Sequence, residues 1–300
     1  MARHWGKVLT AMVTPFDEQG GLNLDMARQL ARHLAANGSD GLIVAATTGE
    51  APTLGDAERM DLIRTVSEAV TVPVLAGVGC ADARHAVALA ARAADAGAAG
   101  AFVVSPYYNR PPQAGIEAYF RAVAAATRLP VMVYDVPGRT GRRIARDVLL
   151  RLFSEVDNIV AFKDATGDPA AAASLVASAG RHFDLYSGDD ALTLPLLAVG
   201  AVGVVGTSTH WTGREFAAMI AAFEQGEVQR ARAINAALQE SFAFANSEAV
   251  VFSMAVKAML RSQGLAVGQC RLPLPATGAD EESRAQAVWQ RLQAWRQEAM

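Results

Sequence analysis

The segment FKDATGD, residues 162–168, sets Lys163 at the end of an apolar run, NIVAF. The chain holds three lysines, Lys7, Lys163 and Lys257, against 24 arginines. Arginine evidently serves wherever a plain positive charge is needed, so a lysine in an apolar setting calls for a reason. Lysine can act as a nucleophilic amine and arginine cannot. An amine desolvated at a strand end has its pKa pulled down, because burial disfavours the charged form. The freed lone pair can then attack a ketone and form a Schiff base. The structural alternative is a lysine ion-paired to Asp164 or Glu50.

Schiff-base and enamine chemistry needs proton carriers. No histidine or cysteine falls at the expected strand ends except His210, slightly beyond the last strand. The hydroxyls of Tyr134, Tyr108, Thr47 and Thr48 are available instead. A tyrosine–threonine–tyrosine chain passes protons if each hydroxyl both donates and accepts. The competing reading is ordinary core tyrosines with satisfied hydroxyls. Arg139, one turn beyond Tyr134 in YDVPGRTG, can bind a carboxylate bidentately, or simply occupy a surface turn. Backbone N–H groups of the Thr47–Gly49 turn could hold a second carboxylate, such as that of an α-keto acid. Asp189 and Asp190 in SGDD lack a histidine or further carboxylate spaced to complete a metal site, and are expected to cap a helix. His4, His33, His85 and His182 are expected on solvated surfaces, and His210 in a structural role near the site.

These residues need a frame. Apolar runs at 8–13, 41–46, 73–78, 100–105, 130–135, 159–164, 183–188 and 202–207 alternate with amphipathic segments. Several runs are unbroken, as expected of parallel strands covered on both faces. MARQLARHLAANG (26–38) and RHAVALAARAADAG (84–97) each end in glycine at a helix C-cap position. The rhythm predicts a (β/α)8 TIM barrel, whose active residues come from the C-terminal strand ends and following loops. The alternative, an open doubly wound sheet, lacks G-x-G-x-x-G after its first strand, and AGVGCADA (76–83) is a loose match.

The last third changes character. Phe216, Met219, Ile220 and Phe223 recur at helical spacing, followed by Val228, Ala231, Ile234 and Leu238. The stretch 249–264 is apolar almost all round and is expected to be buried. A final helix is expected to start at an Asp280 cap and to bury Val288, Trp289, Leu292 and Trp295. We therefore expect a barrel domain over 1–225 and a C-terminal helical extension over 226–300.

Composition narrows the class. With 52% hydrophobic and 19% charged residues the chain can bury a large core. A net charge of −3 and no basic stripe give no reason to expect nucleic acid. No apolar stretch approaches a membrane span, and the N-terminus is a poor signal peptide. Cys80 and Cys270 have no metal-ligand spacing and suggest a reduced, cytoplasmic protein.

The combination TTGEAPTL, SPYYNRPP, YDVPGRTG, FKDATGD and YSGDDALTLPLLAVGAVGVVGTS resembles the class I pyruvate-dependent aldolase superfamily. Within it, the chain is most similar to the dihydrodipicolinate synthase family, motif by motif and in register. The resemblance implies that Lys163 forms a Schiff base with pyruvate, and that Tyr134 moves protons through Thr47 to Tyr108. It implies that Tyr108 reaches a neighbouring subunit's site, hence a homo-oligomer, commonly a tetramer built as a dimer of dimers. Thr48, the backbone around Val205, and Gly188 would bind substrate, and Arg139 the carboxylate of L-aspartate 4-semialdehyde. No cofactor and no metal would be needed, since the lysine is the electron sink. Relatives that act on N-acetylneuraminate or 2-keto-3-deoxy sugar acids share the lysine and tyrosine but generally lack that arginine. A sugar-acid aldolase or dehydratase is therefore the runner-up, and a non-catalytic keto-acid sensor a third reading.

Three departures from the family pattern stand out. Ala46 replaces a glycine before the threonine pair and adds a methyl beside the carboxylate pocket. Asp56, Arg59, Ala81 and His85 replace the usual residues of the lysine feedback site, so weak or absent inhibition by lysine is expected. The segment FANSEAVVFSMAVK lacks the usual proline, which bears on C-terminal helix packing.

Overall fold

Eight of the apolar runs form short parallel strands that close on themselves in sequence order, β1 pairing with both β2 and β8. The computed structural model describes residues 5–179, 183–247 and 250–299. The first half runs β1 (Val8–Ala11), α1 (Leu24–Ala36), β2 (Gly41–Val44), α2 (Asp56–Ala69), β3 (Val74–Gly77), α3 (Ala83–Ala93), β4 (Gly100–Val104) and α4 (Gln113–Ala125). The second half adds β5 (Val131–Asp135), α5 (Pro137–Thr140), α6 (Arg146–Glu155), β6 (Ile159–Asp164), α7 (Pro169–Ser178), β7 (Asp184–Ser187), α8 (Thr193–Leu197) and β8 (Gly203–Gly206). Then follow α9 (Thr209–Glu224), α10 (Val228–Ala237), α11 (Gln239–Ala245), α12 (Phe252–Ser262) and α13 (Ala279–Ala299). The TIM barrel expected from the alternating pattern is present.

Strand alternation builds two cores. Leu9, Ile43, Leu75, Phe102, Met132, Tyr134, Ala161, Tyr186 and Val205 point inward and fill the barrel. Their neighbours Val8, Leu42, Val74, Val103, Val133, Phe162 and Val204 point outward against the helices. This is why the strands read as continuous apolar runs. It also decides that Lys163 faces the barrel interior and Asp164 the helical layer. The β2 run is shorter than its apolar stretch because Ala45 takes φ +55, a left-handed conformation that ends the strand. Gly77 allows this turn, since a Cβ there would lie 2.2 Å from the Ala45 carbonyl oxygen.

Gly38 and Gly97, expected to cap α1 and α3, have φ +100 and +85 just past the helix ends. Asp280 lies within the first turn of α13 rather than at its cap, where it complements the helix dipole. Val228 is exposed at the start of α10, because only the following turns reach the core. Trp289 and Trp295 are half-buried at the edge of the core, while Val288 and Leu292 are buried. α12 is buried on nearly every face, as its composition predicts, packing on α13, α11 and α9. His4 and His182 lie outside the described residues. No helix among the described residues is long and apolar enough to cross a membrane.

Candidate active site

The C-terminal ends of the strands surround a cavity of about 440 Å³. Its wall includes Thr47 and Thr48 from the loop after β2, Tyr134 from β5, Arg139 from α5, Lys163 from β6 and Gly188 after β7. Six of the eight site residues expected from the sequence thus meet in one space. Tyr134 and Lys163 are register partners on adjacent strands, so both side chains point into the barrel mouth.

Lys163 is 5% exposed and makes no ion pair with any described residue. The structural alternative fails on both partners. Glu50 is held instead by Lys257 at 2.7 Å, and Asp164 faces outward, its Oδ1 accepting from the Thr166 amide at 2.8 Å. The Lys163 Nζ lies 4.4 Å from the centroid of the Tyr134 ring and 5.7 Å from that of Phe102. Burial lowers the Lys163 pKa to about 8, partly opposed by the charge of Asp190. At pH 7 about a tenth of such amines are neutral, against roughly three in ten thousand for free lysine.

Tyr134 is pushed up to about 12 by burial, opposed by the Arg139 charge and a hydrogen bond with the Thr47 side chain. It therefore holds its proton at neutral pH. Arg139 stacks its guanidinium 4.3 Å over the Phe252 ring and has no carboxylate partner among the described residues. Gly188 is needed for close packing: a Cβ there would lie 2.8 Å from the Ala165 Cβ and 2.9 Å from the Asp164 carbonyl oxygen. Ala46 lines the cavity, and its methyl does not prevent the Thr47–Tyr134 hydrogen bond.

Two expected residues sit elsewhere. Val205 is fully buried in the barrel interior, so only its backbone neighbourhood approaches the cavity. Tyr108 is 93% exposed at φ +70 and lines an adjoining depression with Tyr107, Thr47 and Arg139. Tyr108 does not line the Lys163 cavity of its own chain.

Contrary to the expectation from sequence, the aspartates after β7 do not cap the helix that follows: α8 has Leu192 at its N-cap with no side-chain hydrogen bond, and Asp189 Oδ1 accepts from the Ala191 amide at 2.9 Å in the preceding turn. The buried Asp190 carboxylate accepts from the Thr207 and Ser208 amides at 3.0 and 2.6 Å, at the entrance to α9, and so ties the β7 and β8 loops together. Among the described residues no group of three potential ligands could hold a metal. His210 is structural. Its Nε2 accepts from the Val13 amide at 3.1 Å, so its proton sits on Nδ1, which donates to the Thr207 carbonyl at 2.7 Å. Burial lowers its pKa to about 4. His33 is half-buried rather than solvated, and His85 pairs with Asp56 at 2.8 Å.

The family model for the dihydrodipicolinate synthetase family matches residues 4–292. The chain belongs to that family. It is 49% identical over 283 residues to a 4-hydroxy-tetrahydrodipicolinate synthase from Acidothermus cellulolyticus, covering 93% of this chain and 90% of the relative. It superposes on a dihydrodipicolinate synthase from Bacillus anthracis with TM-score 0.92 at 40% identity, covering 96% and 99% of the two chains. A dihydrodipicolinate synthase from Cyanidioschyzon merolae, solved with lysine bound, gives TM-score 0.94 at 39% identity, over 97% and 99%.

As a dihydrodipicolinate synthetase family member, the chain recruits residues that strand-end reasoning missed. Asn246, after α11, and Phe252, opening α12, both line the Lys163 cavity. They carry no local signal, because only the docking of the C-terminal helices brings them over the barrel mouth. Phe102 and Asp190 were hidden differently. One reads as a core aromatic and the other as a helix cap.

Proposed function

We propose that this protein is a lyase that condenses pyruvate with L-aspartate 4-semialdehyde to 4-hydroxy-tetrahydrodipicolinate, on the path to diaminopimelate and lysine. The observation that carries the reading is a buried, unpaired Lys163 amine with lowered pKa, set against a proton-holding Tyr134 and an unpaired Arg139.

The neutral Lys163 amine attacks the pyruvate keto carbon, and Tyr134 protonates the departing hydroxyl, so that water leaves and a Schiff base forms. Loss of a methyl proton gives the enamine, which attacks the aldehyde carbon and forms the new carbon–carbon bond. The amine of the semialdehyde then adds to the imine carbon and displaces Lys163, closing the ring and freeing the enzyme. Thr48 and the backbone near Val205 and Gly188 hold the pyruvate end. Arg139, oriented by Phe252, holds the acceptor's carboxylate. The reaction asks for no cofactor.

Thr47 passes the Tyr134 proton onward to a Tyr108 from a neighbouring copy. A large aromatic exposed at a strained, left-handed φ supports this reading, since a partner surface would offset both costs. The working form is then a homo-oligomer, a tetramer built as a dimer of dimers. The barrel, 1–225, carries the chemistry, and the helical extension, 226–300, completes the mouth. Two free cysteines agree with action in the cytoplasm.

The test follows pyruvate and L-aspartate 4-semialdehyde turnover by coupling the product to an NADPH-dependent reductase. Turnover that is lost in Lys163→Arg supports the reading. Activity retained in that variant would refute it. Trapping of pyruvate by borohydride without turnover of the semialdehyde would move the acceptor to a sugar-acid aldehyde.

A further inference from the structure

A second cavity lies behind Tyr134 and Lys163, on the outer face of the same two strands. The residues that follow them, Asp135 and Asp164, are also register partners, and alternation turns both toward the helical layer. There β5, β6, α6 and α7 enclose about 380 Å³. Both carboxyls are buried at its floor, Asp135 at 1% exposure. Asp135 Oδ2 accepts from the Ile144 amide at 3.0 Å, but Oδ1 has no hydrogen-bond partner among the described residues. A buried acceptor left unpaired is rare in folded proteins and asks for a donor.

The rest of the cavity says what kind of donor. Its walls are apolar, with Leu149, Phe162 and Leu175. At the rim Arg146 hydrogen-bonds only to the Ser174 and Ser178 hydroxyls and has no carboxylate partner among the described residues. Arg143, beside it, is already paired with Asp168 at 3.1 Å. The cavity thus sets an unsatisfied carboxyl within and an unneutralised guanidinium at its mouth. Two carboxyls over apolar walls lack the cage of oxygens that a divalent cation wants.

We propose that this cavity is a second ligand site, taking a small zwitterion that places a primary ammonium on Asp135 and a carboxylate on Arg146 around an apolar stem. Burial, with Asp164 adding to it, pushes the free Asp135 carboxyl up to about 7. An arriving ammonium favours the ionised form, so binding near neutral pH releases a proton. The site opens on the opposite side of the strands from the Lys163 amine, so occupancy does not compete with pyruvate.

The probe is 6-aminohexanoate, titrated by calorimetry at pH 7 in two buffers of different ionisation enthalpy. We expect saturable binding with a buffer-dependent heat that reports proton release, and hexanoate and hexylamine each at least about tenfold weaker. Asp135→Asn and Arg146→Ala each weaken the zwitterion about tenfold or more with an unchanged circular dichroism spectrum. If Asp135→Asn does not fold, exposed Arg146→Ala decides. No binding up to about 10 mM, unchanged affinity in the folded variants, or displacement by pyruvate would each overturn the site.

Discussion

Glu50 and Lys257 form an ion pair of 2.7 Å with both side chains 1% exposed, joining the loop that carries Thr47 and Thr48 to α12 across 207 residues. The pair is fully satisfied. The other Glu50 oxygen accepts from the Arg271 amide at 2.8 Å, and Lys257 also donates to the Gln269 carbonyl at 2.9 Å. The Lys257 ammonium lies 4.3 Å over the Phe16 ring. Removing one partner strands a buried charge, at a cost of about 3–5 kcal/mol. Lys257→Ala should lose stability on that scale in urea unfolding, whereas Glu50→Gln with Lys257→Met should recover most of it. Equal loss in the single and double variants would mean that the helix packing, not the charge pairing, holds the loop.

The Lys163 amine should also set two pH dependences. Nucleophilic attack needs the neutral form, so the initial rate of borohydride trapping with pyruvate should rise with pH and level off above about 8. Stability follows from the same shift. The folded pKa lies below the free value of 10.5, so the unfolded chain binds more protons between about 8 and 10.5 and stability rises with pH there. Below pH 8 the full penalty applies, about 3 kcal/mol from a shift of this size. Lys163→Met should therefore be inactive yet more stable than the parent at pH 7, and a less stable variant would contradict the assignment.

His210 should contribute acid sensitivity. Its pKa falls from 6.5 to about 4 on folding, so the unfolded state binds the extra proton in that window. Stability is complete above about 6.5 and declines as pH drops toward 4. Asp135, raised to about 7, has the opposite sign over 3.8 to 7, so the useful quantity is the difference between parent and variant. In His210→Gln that difference should shrink steadily from pH 6.5 to 4. A constant difference would show that the imidazole does not titrate there.

Arg139→Ala should spare the first half-reaction. Covalent trapping of pyruvate ought to continue, while KM for the semialdehyde rises by about tenfold or more, the scale of one lost charge-assisted bond. Phe252→Ala should produce a milder version, since the ring orients the guanidinium from 4.3 Å without touching the pyruvate end. Parallel loss of trapping and turnover would remove Arg139 from its role in acceptor binding.

Free lysine should inhibit weakly or not at all. Arg59 is buried and spends its guanidinium on the Gly77 and Ala51 carbonyls at 2.8 and 2.9 Å. His85 is occupied by Asp56 at 2.8 Å. Both are engaged within the chain, and the one Arg59 nitrogen without a partner among the described residues, Nε, is buried. Half-saturating inhibition of turnover at sub-millimolar lysine would refute this.

The sequence by itself determined the barrel and the core of its site. Unbroken apolar runs separated by amphipathic helices leave few arrangements other than parallel strands covered on both faces. The two-residue alternation then aims Tyr134 and Lys163 into the mouth and Asp135 and Asp164 away from it. Those are local properties, and the residues carry them wherever the chain folds. Only the tertiary structure decided that Asn246 and Phe252 close over Lys163, that Glu50 belongs to Lys257, and that Asp190 ties the β7 and β8 loops together. It also turned Tyr108 outward, outside the cavity that Lys163 and Tyr134 line. Each of these depends on where distant segments dock. Docking is set by packing volume and the pairing of buried polar groups, which no spacing along the chain encodes.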